Sequence, residues 1–281
     1  MIQVNDKDAL RVVMRGYRSN AETTAFVPTL GNLHDGHLSL VRKAKEVADR
    51  VIVSIFLNPT QFDKPEDLDA YPKTLENDLA LLKRENIDLV FLPTAKEMYP
   101  DGGTTHVEVG GISEILEGDS RPGHFSGVAT VVAKLFNLVQ PDVSVFGKKD
   151  FQQLMLIQRM VKDLDFGVDI IEAPTARDEK GLAMSSRNNY LTSDQRDNIA
   201  PNLYKEMHAI VDAIKQGNHD YLYLQAKASG NLERHGFKPD YIELRNANDL
   251  SVAKEGDKNL VVLASAWLGK ARLIDNITLD L

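Results

Sequence analysis

Two histidines three residues apart, His34 and His37, follow Gly31 and flank Gly36 in the stretch TLGNLHDGH, just after the apolar pair Phe26-Val27. At the first turn of a helix, side chains with that spacing share one face. A helix start collects free N–H groups and partial positive charge, and the glycines keep bulk away from it. Phosphate suits such a place. Imidazoles there can donate hydrogen bonds to phosphate oxygens and stabilise charge that grows in a transition state. A helix start with two exposed histidines fits the same string, while the zinc pattern HExxH is absent because the spacing differs.

Other cations and amides recur further along. Gly147 to Asp150 (GKKD) follows the apolar VSVF, so Lys148 and Lys149 could reach phosphates while Asp150 orients a lysine or a ribose hydroxyl. As an isolated string it equally reads as a solvated charge run. Met184 to Asn188 (MSSRN) offers two hydroxyls and the Arg187 guanidinium, a set able to clamp a polyphosphate, although Ser and Asn also favour plain turns. Gln61 in NPTQF and Gln153 in DFQQ could each orient a small polar substrate, having both donor and acceptor. Arg121 is a further anion contact to consider, and His124 beside it reads as a structural loop residue.

The elements that must position these residues alternate. Thr24 to Pro28 reads as a strand, 37–50 as a helix with Leu40, Val41, Ala44, Val47 and Ala48 on one face, and 51–57 (VIVSIFL) as an apolar strand. Helices around 74–85, 128–139 and 152–164 then precede strands at 87–92, 143–146 and 168–171. Strands apolar on both faces and separated by helices imply a parallel sheet covered on both sides, with ligands bound beyond the carboxyl ends of its strands. TLGNLHDGH, NPTQF and GKKD all fall there. From Ala176 the character changes: Thr192-x-x-Gln195 suggests a capping box, Pro201 a helix start or kink, and 241–244, 259–266 and 271–281 antiparallel strands. The expected architecture is α/β, a Rossmann-like parallel-sheet domain over residues 1–175 followed by a smaller α+β domain over 176–281.

Composition limits the partners. Lys and Arg number 33 against 41 Asp and Glu, a net charge of -8, which argues against a surface that coats nucleic acid. Anionic ligands must be held locally, by His34, His37, Lys148, Lys149 and Arg187. Cysteine is absent, so there are neither disulfides nor a thiolate nucleophile. No apolar run approaches a membrane span, and the expected location is cytoplasmic.

Seven motifs in order, PTLGNLHDGH, NPTQF, YPKTLENDL, MYPDG, SRPGHFSGVATVVAKLFNLVQPD, FGKKDFQQL and GLAMSSRNNYLT, resemble the pantoate–β-alanine ligase family, within the nucleotidyltransferases that carry HIGH and KMSKS motifs. The likeness runs from Thr24 to Thr192, with echoes in YIELRNANDL and ARLIDNI. It implies ATP-dependent joining of (R)-pantoate to β-alanine through pantoyl adenylate, releasing pyrophosphate and then AMP.

The resemblance also implies roles. Leu30, Gly31, Asn32, Leu33, His34, Asp35, Gly36 and His37 would line the ATP site, with His37 as proton donor to departing pyrophosphate and His34 assisting. Gly147, Lys148, Lys149, Asp150 and Ala176 would border the nucleotide, Lys149 on phosphate. Met184, Ser185, Ser186 and Arg187 would close over it as part of a lid. Gln61 would contact pantoate and β-alanine, Gln153 pantoate, with Arg121 a further substrate contact. Asp78 would be the protein contact to Mg²⁺, since Asn77 stands where a second acid is common. ATP with Mg²⁺ would be a substrate, with no tightly bound organic cofactor, no nucleic-acid or membrane partner, and a homodimer as the assembly.

Overall fold

The computed structural model describes residues 1–281, which divide into two compact units, Met1–Pro174 and Thr175–Leu281. The first unit alternates β1 (Ile2–Val4), α1 (Lys7–Ser19), β2 (Thr24–Thr29), α2 (Asp35–Lys45), β3 (Arg50–Ile55), α3 (Leu75–Arg84), β4 (Leu89–Phe91), α4 (His124–Val139), β5 (Val143–Gly147), α5 (Phe151–Asp163) and β6 (Asp169–Ala173). Its six strands form one parallel sheet in the order β1-β4-β3-β2-β5-β6. This is the expected α/β layer, with β1 added at one edge.

Side-chain alternation explains why the strands read as unbroken apolar runs. Ala25 and Val27 of β2 pack with Val41 and Ala44 of α2, Val51 and Val53 of β3 and Leu82 of α3. Phe26 points the other way, into a core with Ile52, Phe91, Leu10 and Met14 of α1 and the buried side of α4. The central strands β2, β3, β4 and β5 therefore bury both faces. Fully burying one such side chain contributes roughly 1.5–3 kcal/mol, so the sheet is a firm platform for the loops at its ends.

The winding reverses between β2 and β5. From β2 the chain steps outward through β3 and β4, then returns to place β5 and β6 on the other side. β2 pairs with β3 over six residues but with β5 only at Ala25 and Phe26, and Pro28, which has no N–H, lies past the last pair with β5. The two strands part towards their carboxyl ends, the place where open parallel sheets bind ligands.

In the second unit β7 (Lys238–Asn246), β8 (Asn259–Leu268) and β9 (Ala271–Asp280) form an antiparallel sheet in that order. The helices α6 (Asn202–Lys215) and α7 (Tyr221–Arg234) give Leu203, Met207, Ile210, Leu224 and Leu232 to a core shared with Val262 and Ala264. The capping box is present: Thr192 N–H donates to Gln195 Oε1 at 3.0 Å and Gln195 N–H to Thr192 Oγ1 at 3.2 Å. It opens a π-helical turn, Gln195–Ile199, and Pro201 sits just ahead of α6, where a missing N–H costs nothing.

Candidate active site

The histidine turn leaves β2 at Thr29 and enters α2 at Asp35. Gly31 takes φ +90°, and a Cβ there would lie 3.1 Å from Ile55 Cγ2 and 3.2 Å from Asp78 Oδ2, so the turn needs glycine for both conformation and space. Asp78, at the start of α3, is 1% exposed. Its Oδ2 accepts from Asn32 N–H at 2.9 Å and its Oδ1 from Leu33 N–H at 2.8 Å. Backbone donors thus reach both oxygens of Asp78, the residue expected to contact magnesium. No group of three or more His, Asp or Glu side chains is arranged to hold a metal ion, so the fold offers no all-protein metal cage. The ion fits better as part of a metal–nucleotide substrate.

His34 caps α2 and His37 completes its first turn, with the two ring centroids 4.1 Å apart. Gly36 N–H donates to His34 Nδ1 at 3.1 Å, and His34 N–H donates to His37 Nδ1 at 3.3 Å. A backbone N–H can only donate, so both Nδ1 atoms are acceptors and the protons of the neutral rings sit on Nε2. Each ring thus has an Nε2–H for a ligand. Burial, and then Lys149, lower the His34 pKa; burial, and then His34, push His37 down to about 3. Both rings are neutral near pH 7. Without a ligand His37 is thus a hydrogen-bond donor through Nε2, and the negative charge of a phosphate beside it would favour the protonated ring that a proton donor needs.

Across the crevice, β5 ends at Gly147 and the turn Lys148–Asp150 leads into α5. Lys149 and Asp150 both act electrostatically on His34 and His37, so the predicted neighbours of the nucleotide are gathered around the parting of β2 and β5. Lys149 Nζ lies 3.4 Å from Asp150 Oδ1, and Lys148 Nζ lies 2.8 Å from Glu172 Oε2 on β6. Gln153 lies in the first turn of α5, partly exposed, whereas its neighbour Gln152 is buried and donates to the carbonyls of Ile112 at 2.7 Å and Ile115 at 2.8 Å. Of the two glutamines, Gln152 is therefore a structural tie.

Gln61 lies in the loop after β3, 8% exposed, and its orientation is set by Asn58, which sequence reasoning did not single out. Asn58 Nδ2 donates to Gly127 O at 3.2 Å and to Gln61 Oε1 at 3.0 Å, while Asn58 Oδ1 accepts from Tyr99 OH at 2.9 Å and Thr60 N–H at 3.4 Å. The backbone partners fix which end of the Asn58 amide is which. Gln61 must then face Asn58 with its oxygen, which leaves its NH₂ as the group to offer a carboxylate or hydroxyl. The available signal was the Asn-Pro-Thr string, a familiar turn cap, but Tyr99 and Gly127 are too distant in sequence for the rest to be read.

Arg121, expected as a substrate contact, also braces this loop. Its guanidinium lies 3.4 Å from Gln61 O, 3.2 Å from His124 Nε2 and 3.5 Å from Asp63 Oδ1, and His124 Nδ1 is 2.8 Å from the same carbonyl. His124, read as a loop residue, is the first residue of α4.

In the second unit, Met184 N–H donates to Ala176 O at 2.9 Å and Arg177 bridges to Ala183, closing a hairpin that carries the serines. Arg177 forms a forked pair with Asp275 at 2.6 and 2.8 Å and stacks 3.6 Å from the centre of the Tyr204 ring. Ser185 caps the turn Ser186–Tyr190, accepting from Arg187 N–H at 3.2 Å.

A sequence family described as pantoate-beta-alanine ligase matches residues 3–278. The structure superposes on a pantothenate synthetase from Thermus thermophilus with TM-score 0.91 and 41% identity, covering 99% of each chain. A pantoate-beta-alanine ligase from Francisella tularensis, solved as a complex with Beta-gamma ATP and beta-alanine, gives TM-score 0.79 and 36% identity over 99% of this chain and 97% of that one. With the matched family spanning nearly its whole length and these relatives sharing its fold end to end, the chain belongs to the pantoate–β-alanine ligase family.

Proposed function

We infer that the protein catalyses the ATP-dependent condensation of (R)-pantoate with β-alanine to give pantothenate, AMP and pyrophosphate. Membership of the family supports the overall reaction. The observation that carries its placement on this chain is the pair of neutral imidazoles, each with an Nε2–H to offer, at a helix start in the switch-point crevice. A carboxylate cannot be displaced by an amine until it bears a better leaving group. In the first step a pantoate carboxylate oxygen bonds to the α-phosphorus and the bond to pyrophosphate breaks; in the second the β-alanine nitrogen bonds to the acyl carbon and AMP departs with the carboxylate oxygen.

Each residue has a proposed task. His34 and His37 donate Nε2–H hydrogen bonds to phosphate oxygens and stabilise the growing charge, and His37, its pKa raised by the phosphates beside it, passes a proton to departing pyrophosphate. Lys149 supplies positive charge beside them. The Gln61 NH₂ orients the carboxylates of pantoate and β-alanine, and Gln153 contacts pantoate. Leu30 to Leu33, Asp35, Gly36, Gly147, Lys148 and Asp150 border the nucleotide, and Ala176 and Met184 to Arg187 are assigned to ATP as the family resemblance implies. Mg²⁺ arrives with ATP. The assembly proposed is a homodimer in the cytoplasm; no helix is long and apolar enough to cross a membrane.

The deciding experiment is exchange of labelled pyrophosphate into ATP with Mg²⁺ and (R)-pantoate, β-alanine being left out. Exchange that requires pantoate is expected. ATP binding without exchange would reject the adenylation step.

A further inference from the structure

We propose that Asp78 is a positioning residue that seats the histidine turn and reserves its imidazoles for the nucleotide, rather than a ligand of the metal. A carboxylate offers about four acceptor sites. Here Asn32 N–H and Leu33 N–H take one oxygen each at 2.9 and 2.8 Å, and Thr74 Oγ1 lies 3.2 Å from both. The side chain is 1% exposed, and a Cβ at Gly31 would come within 3.2 Å of its Oδ2. Just before α3, Tyr71 OH adds a hydrogen bond to Gly31 O at 3.3 Å, so the segment Tyr71 to Asp78 grips the turn by its donors and by a carbonyl.

The grip has two consequences for the reaction. Asn32 and Leu33 immediately precede His34, whose N–H holds the His37 ring, so the carboxylate fixes the peptides from which both rings are hung. It also withdraws two backbone N–H groups from any competing anion. Contact with phosphate at this turn then falls to the two Nε2–H groups and the start of α2. Charge-assisted bonds of this length are about twice as strong as neutral ones, enough to hold Asn32 at φ +52°.

The test is Asp78→Asn, which keeps the volume but turns an NH₂ towards a backbone N–H. The activity readout rests on the ligase reading above, whereas the spectroscopic one does not. Expected is a fall in kcat/KM for ATP of roughly 100-fold, the scale of a displaced catalytic group, that extra Mg²⁺ does not restore. In ¹⁵N spectra of the imidazoles, the fixed Nε2–H pattern of His34 and His37 should blur. Recovery at high Mg²⁺ with an unchanged imidazole pattern would overturn the proposal. Should this variant fail to fold, the native protein decides: Mn²⁺ added without nucleotide should leave the amide signals of Asn32 and Leu33 sharp, and selective broadening of those two signals would make Asp78 a metal ligand.

Discussion

At the residue scale the decisive feature is the pair of acceptor Nδ1 atoms. Because both are engaged by backbone N–H groups, the histidines are held as one tautomer before any ligand arrives. Pre-set donors stabilise developing charge without reorganising during the reaction, which is why loss of one such donor typically costs roughly 100- to 1,000-fold in kcat. His37→Ala should therefore lower kcat by about 100-fold or more. Since burial, and then His34, push His37 to about 3, the native kcat/KM for ATP should show no acidic limb from this ring between pH 5 and 8. An acidic limb near pH 6 that vanishes in His37→Ala would show that the fold does not hold this ring neutral in the free protein.

At the scale of elements, α4 comes close to the loop that carries Gln61. A Cβ at Gly127 would lie 2.2 Å from Thr60 O and 2.7 Å from Gln61 Cα, so the helix touches the loop backbone directly. Gly127→Ala must push the loop away and disturb the Asn58 bond to Gly127 O, costing about 1–3 kcal/mol of stability as an overpacked site does. The KM for pantoate should rise while the KM for ATP stays near its native value; equal effects on both would mean the helix supports the nucleotide side instead. The doubly buried strands were legible from their apolar runs, and GKKD and NPTQF could be assigned to strand ends. The edge strand Ile2–Val4 is too short to show a period, and α1 sends only Leu10 and Met14 fully into the core, so both were missed. Asn58, Tyr99 and Gly127 meet only in space, and Asp78 could be read as a metal ligand because acidity alone does not say whether ions or backbone donors surround it.

For the whole molecule, burying neutral histidines ties folding to pH. An unfolded histidine titrates near 6.5, whereas burial, and then His34, hold folded His37 at about 3, and burial, and then Lys149, lower folded His34. Between pH 6.5 and about 3 the unfolded chain binds protons that folded His37 refuses, so stability falls as pH falls through that window and is fully present above it. The carboxylates with lowered pKa, Asp49, Glu172 and Asp249, lose their contribution only at lower pH, near and below the ordinary carboxylate range, so the upper part of the window isolates the histidines. From pH 7 to 5, His37 should account for about 1–2 kcal/mol of lost stability. Urea unfolding of the native protein and of His37→Gln at both pH values measures it. The variant should start from a different stability at pH 7 but lose less on acidification, and equal losses in the two proteins would show that His37 is not held neutral by the fold.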